Sequence, residues 1–391
     1  MTHPIIEALQ VNEAQFVALR RRFHQQPEIG FEEHKTSEEV ARLLGEWGYQ
    51  VHRGLAGTGV VGTLRAGDGQ KRLGLRADMD ALPMHEMSGK AWASQIEGRF
   101  HGCGHDGHTA IGLGLAHVLK EYAAQLNGTI KLIFQPAEEG TRGARAMVAA
   151  GVLDDVDYFT AIHIGTGVPA GTVVCGGDNF MATTKFDVQF SGVAAHAGGK
   201  PEDGRNALLA AAQAALALHA IAPHSAGASR VNVGVMQAGT GRNVVPSSAL
   251  LKVETRGETD AINQYVFERA KQAIAGAATM YAASYQLHLM GAATSSAPSP
   301  AWVDYLRQQT AQVPGVKQAV DRIAAPAGSE DATLMMARVQ ERGGLASYMI
   351  FGTELSAGHH NEKFDFDESV MTQAVATLAR IALNFPWQRG V

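Results

Sequence analysis

The amino-acid sequence predicts an α/β fold in which a mostly parallel sheet with helices on both faces forms a catalytic domain, interrupted by an inserted ferredoxin-like α+β domain. Three observations lead there. Helical apolar spacing alternates with short apolar runs through the first part of the chain, the pattern of buried strands joined by helices. The middle part changes to a βαββαβ order, the split-βαβ arrangement. The last part returns to the opening style.

Ala14 to Phe23 and Thr36 to Trp47 repeat their apolar residues at helical intervals. Thr58 to Leu64, Arg72 to Ala77, Thr129 to Phe134 and Phe159 to Ile164 are apolar runs of strand length. The inserted pattern opens with a strand at Lys185 to Phe190 and an alanine-rich helix at Arg205 to Ile221. Strands at Arg230 to Gln237 and Ala249 to Glu254, a helix at Asp260 to Ala278 and a strand at Ser284 to Met290 complete it. Within the alanine run, Leu208, Leu209, Leu216 and Leu218 keep a helical register, so the small residues imply close packing of helix on sheet. Gly291 to Pro300, rich in Ala, Ser, Thr and Pro, reads as the return linker. Ala346 to Phe351 and Glu368 to Leu383 then close the chain as strand and helix. The expected boundaries are residues 1–180 and 293–391 for the catalytic domain and 181–292 for a lid or dimerisation domain.

A chain of 391 residues with 46% hydrophobic and 18% charged content can bury the cores of two domains. A net charge of -5 without a long basic run argues against nucleic-acid and membrane-surface binding and for small-molecule partners. No apolar run approaches about 18 residues, the length of a spanning helix. Two cysteines make no disulfide framework and fit a reducing cytoplasm. No phosphate loop of the G-x-x-x-x-G-K-S/T kind is present, so nucleotide chemistry has no support.

The chemistry concentrates in two runs, Gly102-Cys103-Gly104-His105-Asp106-Gly107-His108 and Gln135-Pro136-Ala137-Glu138-Glu139-Gly140. The glycines let the backbone bend until the Cys103 thiolate and the His105 imidazole converge on one point. Glu138 and Glu139 follow a strand that Pro136 cannot continue, so they stand at its carboxyl end, where open α/β sheets place their sites. One carboxylate of such a pair can bind a cation while its neighbour takes a proton from metal-bound water. His163 ends another apolar strand and His359-His360 follow a glycine-containing turn. With Cys103, His105 and Glu139 they supply enough donors for a two-metal site.

On these motifs the chain resembles the metallo-amidohydrolases that include hippurate hydrolase, indole-acetyl-amino-acid hydrolase and bacterial aminoacylases, relatives of the glutamate carboxypeptidases. The resemblance covers nearly the whole chain. It includes Leu19 to His24 with Pro27-Glu28, Arg76 to Pro83, CGHDGH, PAEEG, Ala195-His196-Ala197, Asn243 to Pro246 and the segment from His360 to Phe364. From Gly107 onward the wording, notably PAEEGTRGARAMV and AGHHNEKFDFDE, is similar to the p-aminobenzoyl-glutamate-hydrolysing branch.

The resemblance implies two divalent metals per subunit, manganese first and zinc second, held by Cys103, His105, Glu139, His163 and His360. It implies Glu138 as general base and His196 as the oxyanion donor reaching the opposite subunit, with Asn243 contacting substrate. Asp80 is implied as the aspartate that orients a ligand, with Asp78 as its rival, and His101 and His108 take supporting or helix-start roles. Arg242 is either a carboxylate anchor or an exposed turn residue. One departure stands out: Tyr49 to Leu75 is compact here, whereas the branch carries a longer region, which points to a self-sufficient homodimer. A heteromer with a homologous subunit is the other possibility. The expected reaction is hydrolysis of the amide bond of an N-acyl or N-aroyl amino acid, with p-aminobenzoyl-glutamate the first candidate. The alternatives are a hippurate or N-acetyl-amino-acid hydrolase, a cysteine-nucleophile hydrolase and a non-catalytic subunit of a heteromer.

Overall fold

A computed structural model describes residues 3–322, 328–388 and 390–391, with side chains from residue 13 onward. The chain opens with α1 (His3–Gln25), α2 (His34–Glu46), β1 (Gln50–Leu55), β2 (Gly59–Ala66) and β3 (Arg72–Asp78). It continues through α3 (His105–Glu121), β4 (Gly128–Gln135), α4 (Gly143–Ala149), β5 (Tyr158–Ile164) and β6 (Thr172–Val174). Next come β7 (Ala182–Ser191), α5 (Ala207–His219), β8 (Ser229–Ala238), β9 (Ser248–Gly257), α6 (Asp260–Met280) and β10 (Ser284–Ala293). The last elements are α7 (Pro300–Thr310), β11 (Gln318–Val320), α8 (Ala332–Glu341), β12 (Leu345–Phe351) and α9 (Ser369–Leu383).

Two compact units result, and the second takes its main body from Phe180–Ser296. The first holds an eight-stranded sheet of order β1-β2-β4-β3-β5-β12-β6-β11. Its central strands β4, β3, β5 and β12 run parallel, while β1, β2 and β6 meet their inner neighbours antiparallel. Central strands are buried along nearly their whole length, as in Tyr158–Ile164, which is why they read as continuous apolar runs. Helices α1, α3, α7 and α9 pack together, and α4 and α8 form a separate pair with α8 against β5 and β12. Trp302, on α7, stacks on Tyr305 with ring centroids 5.2 Å apart, and its indole N–H donates to the Thr160 hydroxyl at 2.9 Å.

The second unit is a four-stranded antiparallel sheet of order β10-β7-β9-β8, the ferredoxin-like order that the βαββαβ succession implies. Helices α5 and α6 pack on this sheet and on each other. Ala207, Ala210, Ala211 and Ala214 are fully buried against Phe186, Val188, Leu251 and Ile274, so alanine here closes the distance between layers. Asn206 caps α5 by accepting the Leu209 N–H at 3.1 Å. Thr259 does the same for α6 with Ile262 at 3.3 Å. The expected return linker begins late: Gly291 to Ala293 still pair with Lys185 to Thr183 as the end of β10, past a register shift that follows Leu289.

Candidate metal centre

The donor residues come from the ends of β4 and β5, the start of α3 and the segment after β12, all within the first unit. Gly104 takes φ +95, and a Cβ there would stand 2.9 Å from Ile164 Cδ1. Only glycine makes that turn cheaply, and it delivers Cys103 just before α3 and His105 on the first turn. Strand β4 stops at Gln135 because Pro136 lacks an N–H, and the chain then turns through Ala137 at φ 51.

Carboxylates from elsewhere hold this turn by its amides. Glu33 Oε1 accepts the Ala137 N–H at 2.8 Å, and Asp80 accepts the Glu138 and Glu139 N–H groups through its two oxygens, each at 3.0 Å. Asp331 Oδ2 accepts the Ala144 N–H at 2.9 Å at the start of α4. Glu138 is thereby left 9% exposed. The ligand atoms of Cys103, His105 and His163 lie within 4.8 Å of one another, and so do those of Cys103, Glu139 and His360, and of His105, Glu138 and Glu139. These sets share Cys103, His105 and Glu139, so the five expected ligands and the expected base form one linked cluster.

Hydrogen-bond partners assign the histidine protons. His105 Nδ1 donates to the Asp80 carbonyl oxygen at 2.9 Å, leaving Nε2 buried with no hydrogen-bond partner among the described residues. His163 Nδ1 donates to the Ile164 carbonyl oxygen at 2.7 Å, which leaves a lone pair on Nε2. His108 is committed at both ends: Nδ1 donates to Asp78 at 2.6 Å and Nε2 accepts the Ile164 N–H at 3.0 Å. His101 is buried, both its nitrogens lack hydrogen-bond partners among the described residues, and burial drives its pKa down to about 3. His360, at φ 63, turns its Nε2 to 3.3 Å from Glu139 Oε1.

The electrostatics call for a cation. Burial disfavours charge on His105, yet the Asp78 carboxylate beside it raises its pKa well above the ordinary histidine value. The proton this favours on Nε2 is one that a metal ion can replace. Burial pushes the Cys103 thiol upward, so a bound cation is what would keep it a thiolate. Burial also lowers His163 far below the usual range, keeping its ring neutral and its lone pair available. An orphaned buried imidazole nitrogen beside sulfur and carboxylate donors fits divalent transition ions.

Both rival aspartates are used. Asp80 accepts the His105 N–H through its carbonyl and the two glutamate amides through its carboxylate, whereas Asp78 pairs with Arg76 at 2.8 Å and accepts the His108 Nδ1–H. Sequence reasoning assigns no role to Glu33 or Asp331, each the acidic residue directly before a helix. His196 and Asn243 belong to the second unit. There His196 bridges Val244 and the Ala197 N–H donates to the Asn243 carbonyl oxygen at 3.0 Å, so one exposed two-segment corner carries both. Arg242 beside them is exposed.

Fold and centre together describe a hydrolase equipped to work through metal ions. More specifically, the chain belongs to peptidase family M20/M25/M40, whose model matches residues 74–384. It is 67% identical to indole-3-acetyl-aspartic acid hydrolase of Enterobacter agglomerans, with 95% of this chain and 96% of that one covered. It is 65% identical, at the same coverage, to a p-aminobenzoyl-glutamate hydrolase subunit of Escherichia coli strain K12. Both alignments run over 418 positions, more than the 391 of this chain, so both relatives carry segments absent here. Among solved structures, an aminobenzoyl-glutamate utilization protein from Klebsiella pneumoniae is 65% identical with a TM-score of 0.87, covering 98% of this chain and 99% of its own. The YXEP protein of Bacillus subtilis, described as a dinuclear metal binding peptidase, is 27% identical with a TM-score of 0.75, covering 96% and 98%.

Proposed function

We propose that this hydrolase cleaves the amide bond of N-acyl or N-aroyl amino acids, with p-aminobenzoyl-glutamate, yielding p-aminobenzoate and glutamate, as its first substrate. The observation that carries the reading is Glu138, held by its own amide and grouped with His105 and Glu139, which link it to the other donor groups. Identities of 65% and 67% to relatives named for conjugates of glutamate and aspartate support the substrate class.

Cys103, His105, Glu139, His163 and His360 would hold two divalent ions, manganese first and zinc second. When bound, the ions supply an activated water and polarise the amide carbonyl. Glu138 takes the proton from the attacking water and delivers it to the nitrogen as the carbon–nitrogen bond breaks. His196 Nδ1 accepts the N–H groups of Gly198 at 3.2 Å and Gly199 at 2.9 Å, so the neutral ring carries its proton on Nε2. Reaching the centre of an opposite subunit, that N–H would suit the oxyanion of the tetrahedral intermediate, and Asn243 beside it the substrate. The upward push on the half-buried Cys103 thiol is opposite to what a nucleophilic cysteine needs.

The second unit serves as lid and dimerisation surface in this reading. Among the described residues, ten of the thirteen exposed large hydrophobic side chains lie there, including Leu216 and Met236, which supports a homodimer; pairing with a homologous subunit is the alternative. No helix among the described residues is long and apolar enough to cross a membrane. The cytoplasmic placement rests on the two-cysteine composition.

The test is protein loaded with manganese and assayed on p-aminobenzoyl-glutamate, indole-acetyl-aspartate, hippurate and acetylated amino acids. Glu138→Gln should bind metal normally and lose about 10²- to 10⁴-fold in turnover. Full turnover by that variant removes the base, and inactivity on the whole panel removes the substrate class.

A further inference from the structure

His359, the neighbour of an expected ligand, has a different partner at each ring nitrogen. Its Nε2 lies 2.9 Å from the Thr166 backbone N–H, a group that can only donate, so Nε2 presents a lone pair. The proton of the neutral ring is therefore on Nδ1, and Nδ1 lies 3.7 Å from Cys103 Sγ. His163 stands 3.5 Å from the same sulfur in the opposite state, its proton committed to the Ile164 carbonyl and its lone pair on the sulfur side. One sulfur thus meets a lone pair from one imidazole and an N–H from another.

Local backbone holds His359 in this state. Gly165 at φ 74 and Thr166 at φ 49 turn the Thr166 N–H back towards the ring, and a Cβ on Gly165 would stand 2.9 Å from Nε2. Thr166 accepts a left-handed backbone that non-glycine residues adopt infrequently, a cost its hydrogen bond to the ring offsets. Phe364 and His163 fix the plane of the imidazole, with ring centroids 4.8 Å and 5.2 Å away.

We propose that His359 is a positioning residue that donates an N–H···S hydrogen bond from Nδ1 to the Cys103 sulfur, moderating the electron density the thiolate offers to a bound ion. The inference rests on Cys103 being a metal ligand, as proposed above.

Cobalt supplies a readout independent of turnover. In the Co²⁺-loaded chain, a sulfur-to-cobalt charge-transfer band reports the energy of the thiolate electrons, which an N–H donor lowers. Removing the donor should shift the band to longer wavelength. Two variants separate sulfur donation from a merely structural role. His359→Asn keeps an amide N–H near the Nδ1 position and gives up the Thr166 contact, and should leave the band in place. His359→Gln keeps an acceptor near Nε2 for Thr166 and gives up the donor to sulfur, and should shift the band to longer wavelength, as should His359→Ala. A band unmoved in the Gln variant, or moved as far in the Asn variant as in the Ala variant, overturns the inference. Absence of any sulfur-to-cobalt band in the unaltered chain is a different result and removes Cys103 as a ligand.

Discussion

Arg20 is fully buried and meets Asp106 at 2.6 Å, Asp365 at 2.8 Å and Glu368 at 3.2 Å. One turn along α1, His24 shares Asp106 at 2.7 Å and reaches Glu86 at 3.2 Å. Asp106 directly follows His105, so this cluster fastens the start of α3. Breaking a buried pair of this kind strands a charge and costs about 3–5 kcal/mol. Burial opposes charge on His24, but Asp106 and Glu86 raise its pKa above the ordinary value. A histidine raised on folding stabilises fully below its unfolded pKa, about 6.5, and that contribution is lost as pH climbs through the raised value. The gap in denaturation midpoint between the unaltered chain and His24→Gln should therefore be widest near pH 6 and shrink towards pH 9. A gap independent of pH would contradict it.

The residue scale is also where sequence reasoning stops soonest. Donor types are readable in CGHDGH and PAEEG, but which nitrogen of a histidine carries the proton depends on partners far along the chain. His359 and Thr166 are 193 positions apart. Asp78 and Asp80 could not be told apart, because two residues at one strand end differ only in what folds over them.

Among the elements, strands that are buried on both faces were legible as apolar runs, and the inserted helices and strands fell close to their expected places. Helix α3 escapes such a reading. It is buried around nearly its whole circumference and carries Gly107, Gly112 and Gly114, so no amphipathic period marks it. Strand β1 lies at a sheet edge with mostly exposed residues, and β6 and β11 are three residues each, too short to carry a pattern. Two glycines give predictions of opposite sign. A Cβ at Gly143, the first residue of α4, would stand 1.6 Å from the Pro136 carbonyl oxygen. Gly143→Ala should cost about 1–3 kcal/mol in urea unfolding and lower activity by displacing the Glu138 turn. Gly276, inside α6, would carry a Cβ with nothing within 4 Å of it, and Gly276→Ala should stabilise by about 0.5–1 kcal/mol. Equal effects from the two would refute this account.

At the scale of the molecule, each unit has its own hydrophobic core, one around Phe134, Ile162 and Leu378 and the other around Phe186, Leu251 and Ile274. The proposed ligands all belong to the first unit and come from widely separated stretches of chain, so ion binding ties that unit together. Calorimetry should show the first unit's transition rising with manganese, by about 2.7 kcal/mol per site at a free concentration 100 times the dissociation constant, and falling back with a chelator. A thermogram unchanged by metal would deny the centre.

The turn after β4 holds one last consequence. Its amides at Ala137, Glu138 and Glu139 are each claimed by a carboxylate from another part of the chain. The five letters PAEEG are therefore not a portable device. Grafted into a foreign scaffold without counterparts of Glu33 and Asp80, they would carry the spelling of the reaction but not its shape. The turn's shape is thus a property of the whole first unit, and a change at Glu33 or Asp80 reaches Glu138 without touching PAEEG.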